Sequence, residues 1–270
     1  MWSNRLGSAR KCFDEAALEY DKARPSYPDQ LIQDVVDLSR IPKRGSILEI
    51  GCGTGQATIQ FARRGYRMLC LDIGKRLTLI AKKKCQNYPL ARIINTSFEK
   101  WKPAIAAFDL LISATAFHWI PAEIGYPKAA QVLKQSGYIA LFWNTHPTPY
   151  TGFFEDVQMI YAGVAPELLR QAKSPTEIIV QEQEKQLQQS GLFETVQVKN
   201  YSWSKTYTTE EYLRLLDTFS DHGMLEAERR NQLYAEIGKL LDTKYDGRVE
   251  RPYQSILLIA KKKATNQEPA

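Results

Sequence analysis

The 270-residue chain reads as an α/β protein with a mostly parallel sheet covered by helices on both faces. Three observations predict this. Short apolar runs recur between residues 46 and 143, and segments with apolar residues three or four apart separate them. The apolar runs, Leu110-Leu111-Ile112 among them, are continuous rather than alternating, as expected of strands buried on both sides. A glycine-rich turn, Gly51-Cys52-Gly53-Thr54-Gly55, leaves one such run and enters a helical segment.

The elements follow in order. Residues 9–21 carry Phe13, Ala17 and Tyr20 at helical spacing. Arg24-Pro25-Ser26-Tyr27-Pro28 breaks that pattern, and Pro28 opens a helix over 29–39 with Leu31, Val35 and Leu38 on one face. Residues 47–50 predict the first strand and 55–64 a helix. The second strand is 68–71, with Asp72 at its end, and a helix over 75–86 follows. Strands at 91–95 and 108–113, a helix over 123–135 and a strand at 138–143 complete the alternation. Beyond Trp143 it stops. Residues 144–150 hold two prolines and read as a loop, and 151–173 are mostly helical. Residues 176–190 form a helix closed by Gly191. A strand at 193–203, helices at 209–219 and about 224–243, and a strand at 253–260 follow, for seven strands in all. The segmentation is therefore a helical lid segment over 1–40, a core over 41–145, helical insertions forming a substrate cap plus the last two strands over 146–263, and a disordered tail over 264–270.

Composition narrows the class. Hydrophobic residues make up 44% and charged residues 24%, which excludes intrinsic disorder for the bulk of the chain. No apolar run approaches the ~18 residues of a membrane span, and Met1 to Arg10 lacks the apolar stretch of a secretory leader. The net charge of +6 suits an anionic partner. Lys82-Lys83-Lys84 and Lys261-Lys262-Lys263 read as solvated faces, however, and no basic module is interleaved with aromatics, so nucleic acid is not the expected partner. Cys12, Cys52, Cys70 and Cys85 show no C-x-x-C or Cys/His spacing, so no metal is expected. Reduced thiols beside strands fit a cytoplasmic compartment.

The glycine turn carries the chemistry. Glycines there permit a tight bend and a close approach of backbone to a ligand, and the helix that follows offers free N–H groups. The spacing Gly51, Gly53, Gly55 places Gln56 where the dinucleotide fingerprint needs its third glycine, and no phosphate-binding Lys-Ser/Thr follows. Asp72, 17 residues after Gly55, can accept hydrogen bonds from both hydroxyls of a ribose; it can equally cap the helix over 75–86.

Ile47-Leu48-Glu49-Ile50-Gly51-Cys52-Gly53-Thr54-Gly55 resembles the first motif of class I S-adenosylmethionine-dependent methyltransferases. Thr96-Ser97-Phe98-Glu99-Lys100-Trp101 and Phe108-Asp109-Leu110-Leu111-Ile112-Ser113-Ala114-Thr115-Ala116-Phe117-His118-Trp119 extend the likeness. Tyr20-Asp21-Lys22-Ala23-Arg24-Pro25-Ser26-Tyr27-Pro28 is similar to a subgroup that includes trans-aconitate methyltransferases. The match spans roughly residues 13–143 and weakens over 144–270. It implies a seven-stranded Rossmann-like sheet and S-adenosyl-L-methionine as cofactor, with S-adenosyl-L-homocysteine as product. By that resemblance Glu49 orients the loop or the methionine amine, and Gly51, Cys52, Gly53 and Gly55 form the loop along which the methionine part lies. Asp72 takes the ribose and Ile73 packs on the adenine. Ser97 and Phe98 meet the adenine edge and face, Ala114 contacts the methionine moiety, and Tyr20 and Arg24 close over the cofactor. Many relatives carry Asp where Ser97 stands, and a hydroxyl accepts the adenine amino proton more weakly.

Methyl transfer from a sulfonium is an in-line displacement with a neutral leaving group, so positioning and exclusion of water matter most. A base is needed only for a nucleophile protonated at neutral pH, and a carboxylate acceptor needs none. His118 is the candidate base, and the alternative is a packed His118–Trp119 pair shaping a cavity wall. Tyr27, His118, Trp119 and Trp143 are the candidate acceptor contacts, with core packing the alternative for the tryptophans. His146 and His222 are expected at the surface or in loops. The expected function is methylation of a small-molecule acceptor, with a carboxylate favoured by the subgroup resemblance and the positive charge. An RNA methyltransferase, resting on charge alone, and a noncatalytic cofactor-binding module remain alternatives, while Gln56 disfavours a nicotinamide oxidoreductase.

Overall fold

The structure is a computed structural model of the chain and describes residues 14, 17–103, 105–169 and 175–264. Cys12, Phe13, most of the expected helix before Ala17, the end of the 151–173 segment and the tail beyond 264 lie outside the described residues. The chain forms two compact units. The core unit comprises Ser26–Asn144, Ile179–Tyr201 and Ser255–Ala270; the second comprises Met1–Pro25, Thr145–Ile178 and Ser202–Gln254.

Seven strands are hydrogen-bonded in one sheet: β1 (Ser46–Ile50), β2 (Arg67–Asp72), β3 (Ala91–Asn95), β4 (Phe108–Ala114), β5 (Leu133–Thr145), β6 (Gln197–Thr208) and β7 (Arg248–Lys261). Their order is β3-β2-β1-β4-β5-β7-β6, and the pairs β1–β2, β1–β4, β2–β3 and β4–β5 are all parallel. The chain reverses between β3 and β4, so β1 and β4 are neighbours and their carboxyl ends open the crevice where such sheets bind ligands. The seven-stranded Rossmann-like sheet expected from the sequence is thus present.

Alternation along the strands explains why the apolar runs are continuous. On β5, Ile139, Leu141 and Trp143 face one core cluster while Ala140 and Phe142 face the other. The helices α2 (Asp29–Ser39), α3 (Thr58–Ala62) and α4 (Lys75–Lys84) cover the second face through Leu31, Phe61 and Ala81. The helices α5 (Ala122–Val132) and α7 (Pro175–Gln189) cover the first through Tyr126, Val180 and Leu187. The Tyr126 hydroxyl donates to Gln183 O at 3.1 Å, which ties those two helices and satisfies a buried phenol.

Several boundaries differ from the sequence expectation. The helix placed at 55–64 forms only over Thr58–Ala62, because Gly55 at φ +91° holds the turn open. The helix placed at 123–135 ends at Val132, and β5 starts at once, with Leu133 paired to Phe108. β6 lies at Gln197–Thr208 rather than 193–203, since Tyr201, Trp203 and Tyr207 continue the two-residue alternation; Phe193 keeps only an isolated antiparallel bridge to Lys262. No helix among the described residues is long and apolar enough to cross a membrane.

The second unit has its own core. Phe153, Phe154, Val157 and Tyr161 on α6 (Phe153–Val164) pack with Tyr212, Leu215 and Leu216 on α8 (Thr209–Asp217) and with Leu233, Ile237 and Leu241 on α10 (Ala227–Lys244). Thr208 caps α8 reciprocally with Glu211, its hydroxyl accepting Glu211 N at 3.3 Å and the Glu211 carboxylate accepting Thr208 N at 2.9 Å. Here the sequence expectation of a surface or loop position holds for His146 only as to the loop and fails for His222. His146 lies in a loop but is buried, and His222, in the short helix α9 (Ser220–Gly223), is buried against the Tyr161 hydroxyl at 2.9 Å. Polarity alone cannot reveal such burial, since a histidine with a partner is stable inside.

The central strands carry the stability of the core unit. Leu48→Ala removes a fully buried side chain, and chemical denaturation should show a loss of about 2–5 kcal/mol.

Candidate active site in the core unit

The site is assembled from the carboxyl ends of β1, β2 and β4. Gly51 and Cys52 both donate to Leu71 O, at 2.8 and 3.2 Å, so the loop after β1 folds back over the end of β2. Gly51 has φ +70°, and a Cβ there would stand 2.2 Å from the Ala116 Cβ. Only glycine allows both the backbone conformation and that approach. Gly53 N donates to Asp72 Oδ2 at 2.8 Å, and Gly74 N donates to Asp72 Oδ1 at 2.8 Å. The Asp72 carboxylate therefore joins the glycine loop to the loop after β2. The helix Lys75–Lys84 is capped by Gly74 without a side-chain bond, so Asp72 does not serve as its cap.

Glu49 sits behind this loop and is fully buried. Its Oε2 accepts from Thr58 Oγ1 at 2.6 Å, while Oε1 has no hydrogen-bond partner. Burial pushes its pKa up to about 7; the hydroxyl of Thr58 and the thiol of Cys70 pull it down, and the charge of Asp72 adds to the rise. The neighbouring Cys52 thiol is held well above its ordinary value, chiefly by burial and then by Asp72 and Glu49. It stays protonated and packs as a small apolar group.

The loop after β4 closes the other side. Thr115 has φ +57°, rare for a β-branched residue. Its amide donates to Phe142 O at 2.8 Å, and its hydroxyl meets the Tyr27 hydroxyl at 2.8 Å. Tyr27 also packs edge-on against Phe142, ring centroids 4.8 Å apart, and its carbonyl accepts from Gln60 Nε2 at 2.8 Å. The strained threonine is thus held from both sides. His118 lies in the single turn Phe117–Trp119. Trp143 Nε1 donates to His118 Nδ1 at 3.2 Å. Indole nitrogen can only donate, so Nδ1 accepts and the neutral ring carries its proton on Nε2. A histidine in that tautomer offers a donor, not a lone pair, at its outer nitrogen.

The structure brings Glu49, Gly51, Cys52, Gly53 and Asp72 together around one turn, with Gly55 at its helical end and Ala114 at the end of β4 beside them. Ile73 is 43% exposed, an unusual position for an isoleucine at a strand end. The Ser97 hydroxyl accepts Lys100 N at 3.2 Å, and Thr96 N donates to Asp72 O, which places this turn next to β2. Phe98 goes elsewhere: it is buried in the core, stacked on Trp101, with Lys128 Nζ 5.2 Å from its ring centre. Trp143 is wholly buried, and its Nε1 donates to His118. Trp119 packs beside His118 at 4.9 Å. Tyr20 and Arg24 belong to the second unit, where Arg24 Nη2 donates to Thr218 O at 2.8 Å and its guanidinium lies 4.6 Å from the Phe219 ring. Thr58, Thr115 and Ala116 escaped the sequence reading; an acid nine residues before a helix-starting threonine was the one available signal, and only for Thr58. No group of three or more metal-ligating side chains occurs among the described residues.

Residues 47–137 match the family model described as a methyltransferase domain. The chain is 24% identical over 239 residues to an uncharacterized methyltransferase of Schizosaccharomyces pombe, covering 86% of this chain and 88% of that one. It is 29% identical over 155 residues to a probable S-adenosylmethionine-dependent methyltransferase of Saccharomyces cerevisiae, covering 56% of this chain and 52% of that one. Among solved structures, a putative type II methyltransferase from Anaeromyxobacter dehalogenans superimposes with a TM-score of 0.62 at 21% identity, covering 88% of this chain and 96% of that one, a likeness of fold.

The buried acid sets a pH dependence. Glu49 titrates at about 7 in the folded chain against an ordinary 4.5. Between those values the folded chain holds more protons than the unfolded one, so stability falls as pH rises through that window. Glu49→Gln removes the step, and its stability relative to the native chain should rise by about 1–3 kcal/mol from pH 4.5 to pH 8, measured by urea unfolding at each pH.

Proposed function

We propose that this chain is an S-adenosylmethionine-dependent methyltransferase, a reading supported by its likeness to the methyltransferase domain and to relatives so named, and that it methylates a small organic acceptor, of carboxylate class, at the carboxyl ends of β1, β2 and β4. The observation that carries the assignment of the cofactor site is the Asp72 carboxylate, tied to Gly53 N and Gly74 N at 2.8 Å each. Each oxygen accepts one N–H, and a carboxylate oriented in this way at the end of β2 is the kind of acceptor that ribose hydroxyls need.

The other residues fit the same nucleoside. The orphaned Oε1 of Glu49 is a buried acceptor matched to an ammonium group, and a cation there would favour its ionised form. The close approach of Gly51 to Ala116 leaves bare backbone along the bend. Ile73, exposed beside Asp72, suits the face of an adenine, and Ser97 its edge. With Phe98 committed to the core, Ile73 is the apolar surface proposed to carry that stacking.

When bound, S-adenosylmethionine supplies a methyl group on a sulfonium, with a neutral thioether as the leaving group. The residues of the chain then position and desolvate. His118, held by Trp143 as an Nε2–H donor, is proposed to orient the acceptor by a hydrogen bond. Tyr27, through the Thr115 hydroxyl, is proposed to hold the loop after β4 in its strained conformation. A carboxylate acceptor is already a nucleophile at neutral pH and loses no proton, which accords with a histidine whose lone pair is taken. Positive net charge favours approach of such an acceptor.

Two measurements test the reading. Calorimetric titration should show S-adenosylmethionine binding to the native chain, and Asp72→Ala should weaken it by at least about tenfold, since two ribose bonds and the loop tie are lost together. Binding unchanged by that substitution would overturn the site. With any methylated acceptor, His118→Gln, which keeps an N–H donor, should retain several-fold more activity than His118→Ala; equal loss in both variants would point to a base instead.

A further inference from the structure

The second unit contains a cavity of its own. The loop after β5, the helix α6, the helix α8 and the start of β7 surround a small cleft lined by His146, Tyr150, Phe154, Tyr161, Tyr212 and Arg251 among others.

Arg251 is 7% exposed, and no ion pair involves it among the described residues. Its guanidinium lies against three aromatic rings, 5.7 Å from Phe154, 5.9 Å from Phe219 and 5.0 Å from Tyr253. The Tyr253 hydroxyl, bonded to Tyr207 at 2.8 Å, is its polar neighbour, and its Nε is buried without a hydrogen-bond partner. The Tyr150 hydroxyl is likewise buried without a partner. Tyr161, by contrast, has its hydroxyl on His222 Nε2 at 2.9 Å, and His222 Nδ1 meets Asp221 Oδ1 at 2.9 Å. His146 Nδ1 is bonded to Pro147 O at 2.8 Å.

A guanidinium cannot shed its charge, so burial must be offset by partners. Ring faces offset part of it. They leave the Nε–H unmet, because a π-face and a hydrogen-bond acceptor are different partners. A cation and a phenol, both short of a partner and both facing one aromatic-walled cavity, form a donor pair awaiting an acceptor.

We propose that this cavity binds the carboxylate group of a small organic anion, with the Arg251 guanidinium pairing its charge and the Tyr150 hydroxyl donating a hydrogen bond. One cation matches the single charge of a carboxylate, and the rings suit a hydrocarbon body. A phosphate brings up to two charges and more lone pairs than one guanidinium and one hydroxyl can meet. The proposal rests on the second unit alone and is read without S-adenosylmethionine, so its failure and a failure of the cofactor site are separate results.

The test is calorimetric titration of the full chain with propionate, with the isosteric neutral propionamide, and with inorganic phosphate. Propionate should bind in the millimolar range and propionamide at least about tenfold more weakly. Arg251→Gln should abolish propionate binding, and Tyr150→Phe should weaken it about threefold to tenfold. Tyr150→Phe removes only an oxygen without a partner, so its melting temperature should equal or exceed that of the native chain, and it decides the matter if Arg251→Gln fails to fold. Equal binding of propionate and propionamide, no propionate binding up to about 50 mM, preference for phosphate, or a Tyr150→Phe variant that binds propionate as the native chain does would each overturn the assignment.

Discussion

The proposed cofactor site depends on one carboxylate accepting two backbone N–H groups from different loops. Asp72 stands at the end of β2 and takes Gly53 N on one oxygen and Gly74 N on the other. Without it, the glycine loop would be an open turn anchored by its β1 end and by the two bonds to Leu71 O. With it, the loop is pinned at its crest as well. The bond is charge-assisted and therefore stronger than a bond between neutral groups. It also fixes the orientation of the carboxylate, so the residue proposed to take the ribose is the one that fixes the loop. That double use explains why the glycines can be so permissive without leaving the turn floppy: their conformational freedom is removed by a side chain from the neighbouring strand.

Glu49 shows the same economy in the opposite electrostatic sense. A fully buried carboxyl with one oxygen satisfied and one not is an unstable arrangement for an ion. It is tolerable because a carboxyl can take up a proton, and burial moves its pKa to about 7 for that reason. Near neutrality the group is divided between two states whose balance a nearby cation can tip. Thr58 fixes the orientation by bonding the other oxygen. The strand therefore presents not a permanent charge but a responsive one, and the cost of burial is largest when nothing positive lies beside it.

Much of this was legible from residue order, because the features involved are local. Continuous apolar runs gave the central strands, since a strand covered on both faces has no polar side to show. The glycine spacing located the loop, because positive φ at 51, 53 and 55 demands that residue type. What was not legible depends on partners distant in sequence. The strained backbone of Thr115 is held by Tyr27, 88 residues away, and nothing in the local string signals it. Phe98 looked like an adenine contact by position, but its direction was settled by Trp101 and by Lys128 from another helix. The bond from Trp143 to His118 Nδ1, which bears on whether the histidine acts as a base or as a donor, joins residues 25 apart. Strand ends slipped where a pattern of alternation continued past an apolar cluster, as at Gln197–Thr208. In each case periodicity identified the element, and only packing could fix the direction of the side chain.

Two of the buried ionisable groups, Glu49 in one unit and Arg251 in the other, show why burial of charge is a sharper guide to chemistry than sequence position. Glu49 can neutralise itself, so an empty environment merely shifts its pKa. Arg251 has no such escape, because its pKa lies too far above neutrality for any ordinary burial to discharge it. Three aromatic faces around a guanidinium are a partial answer, and they explain how the fold tolerates the cation before any ligand arrives. They do not explain why a cation was placed there, since an aliphatic side chain of similar length would fill the same space without a desolvation cost. A position that is costly for folding and lines the same cleft as an unmet phenol is accounted for most simply by an anion that completes it.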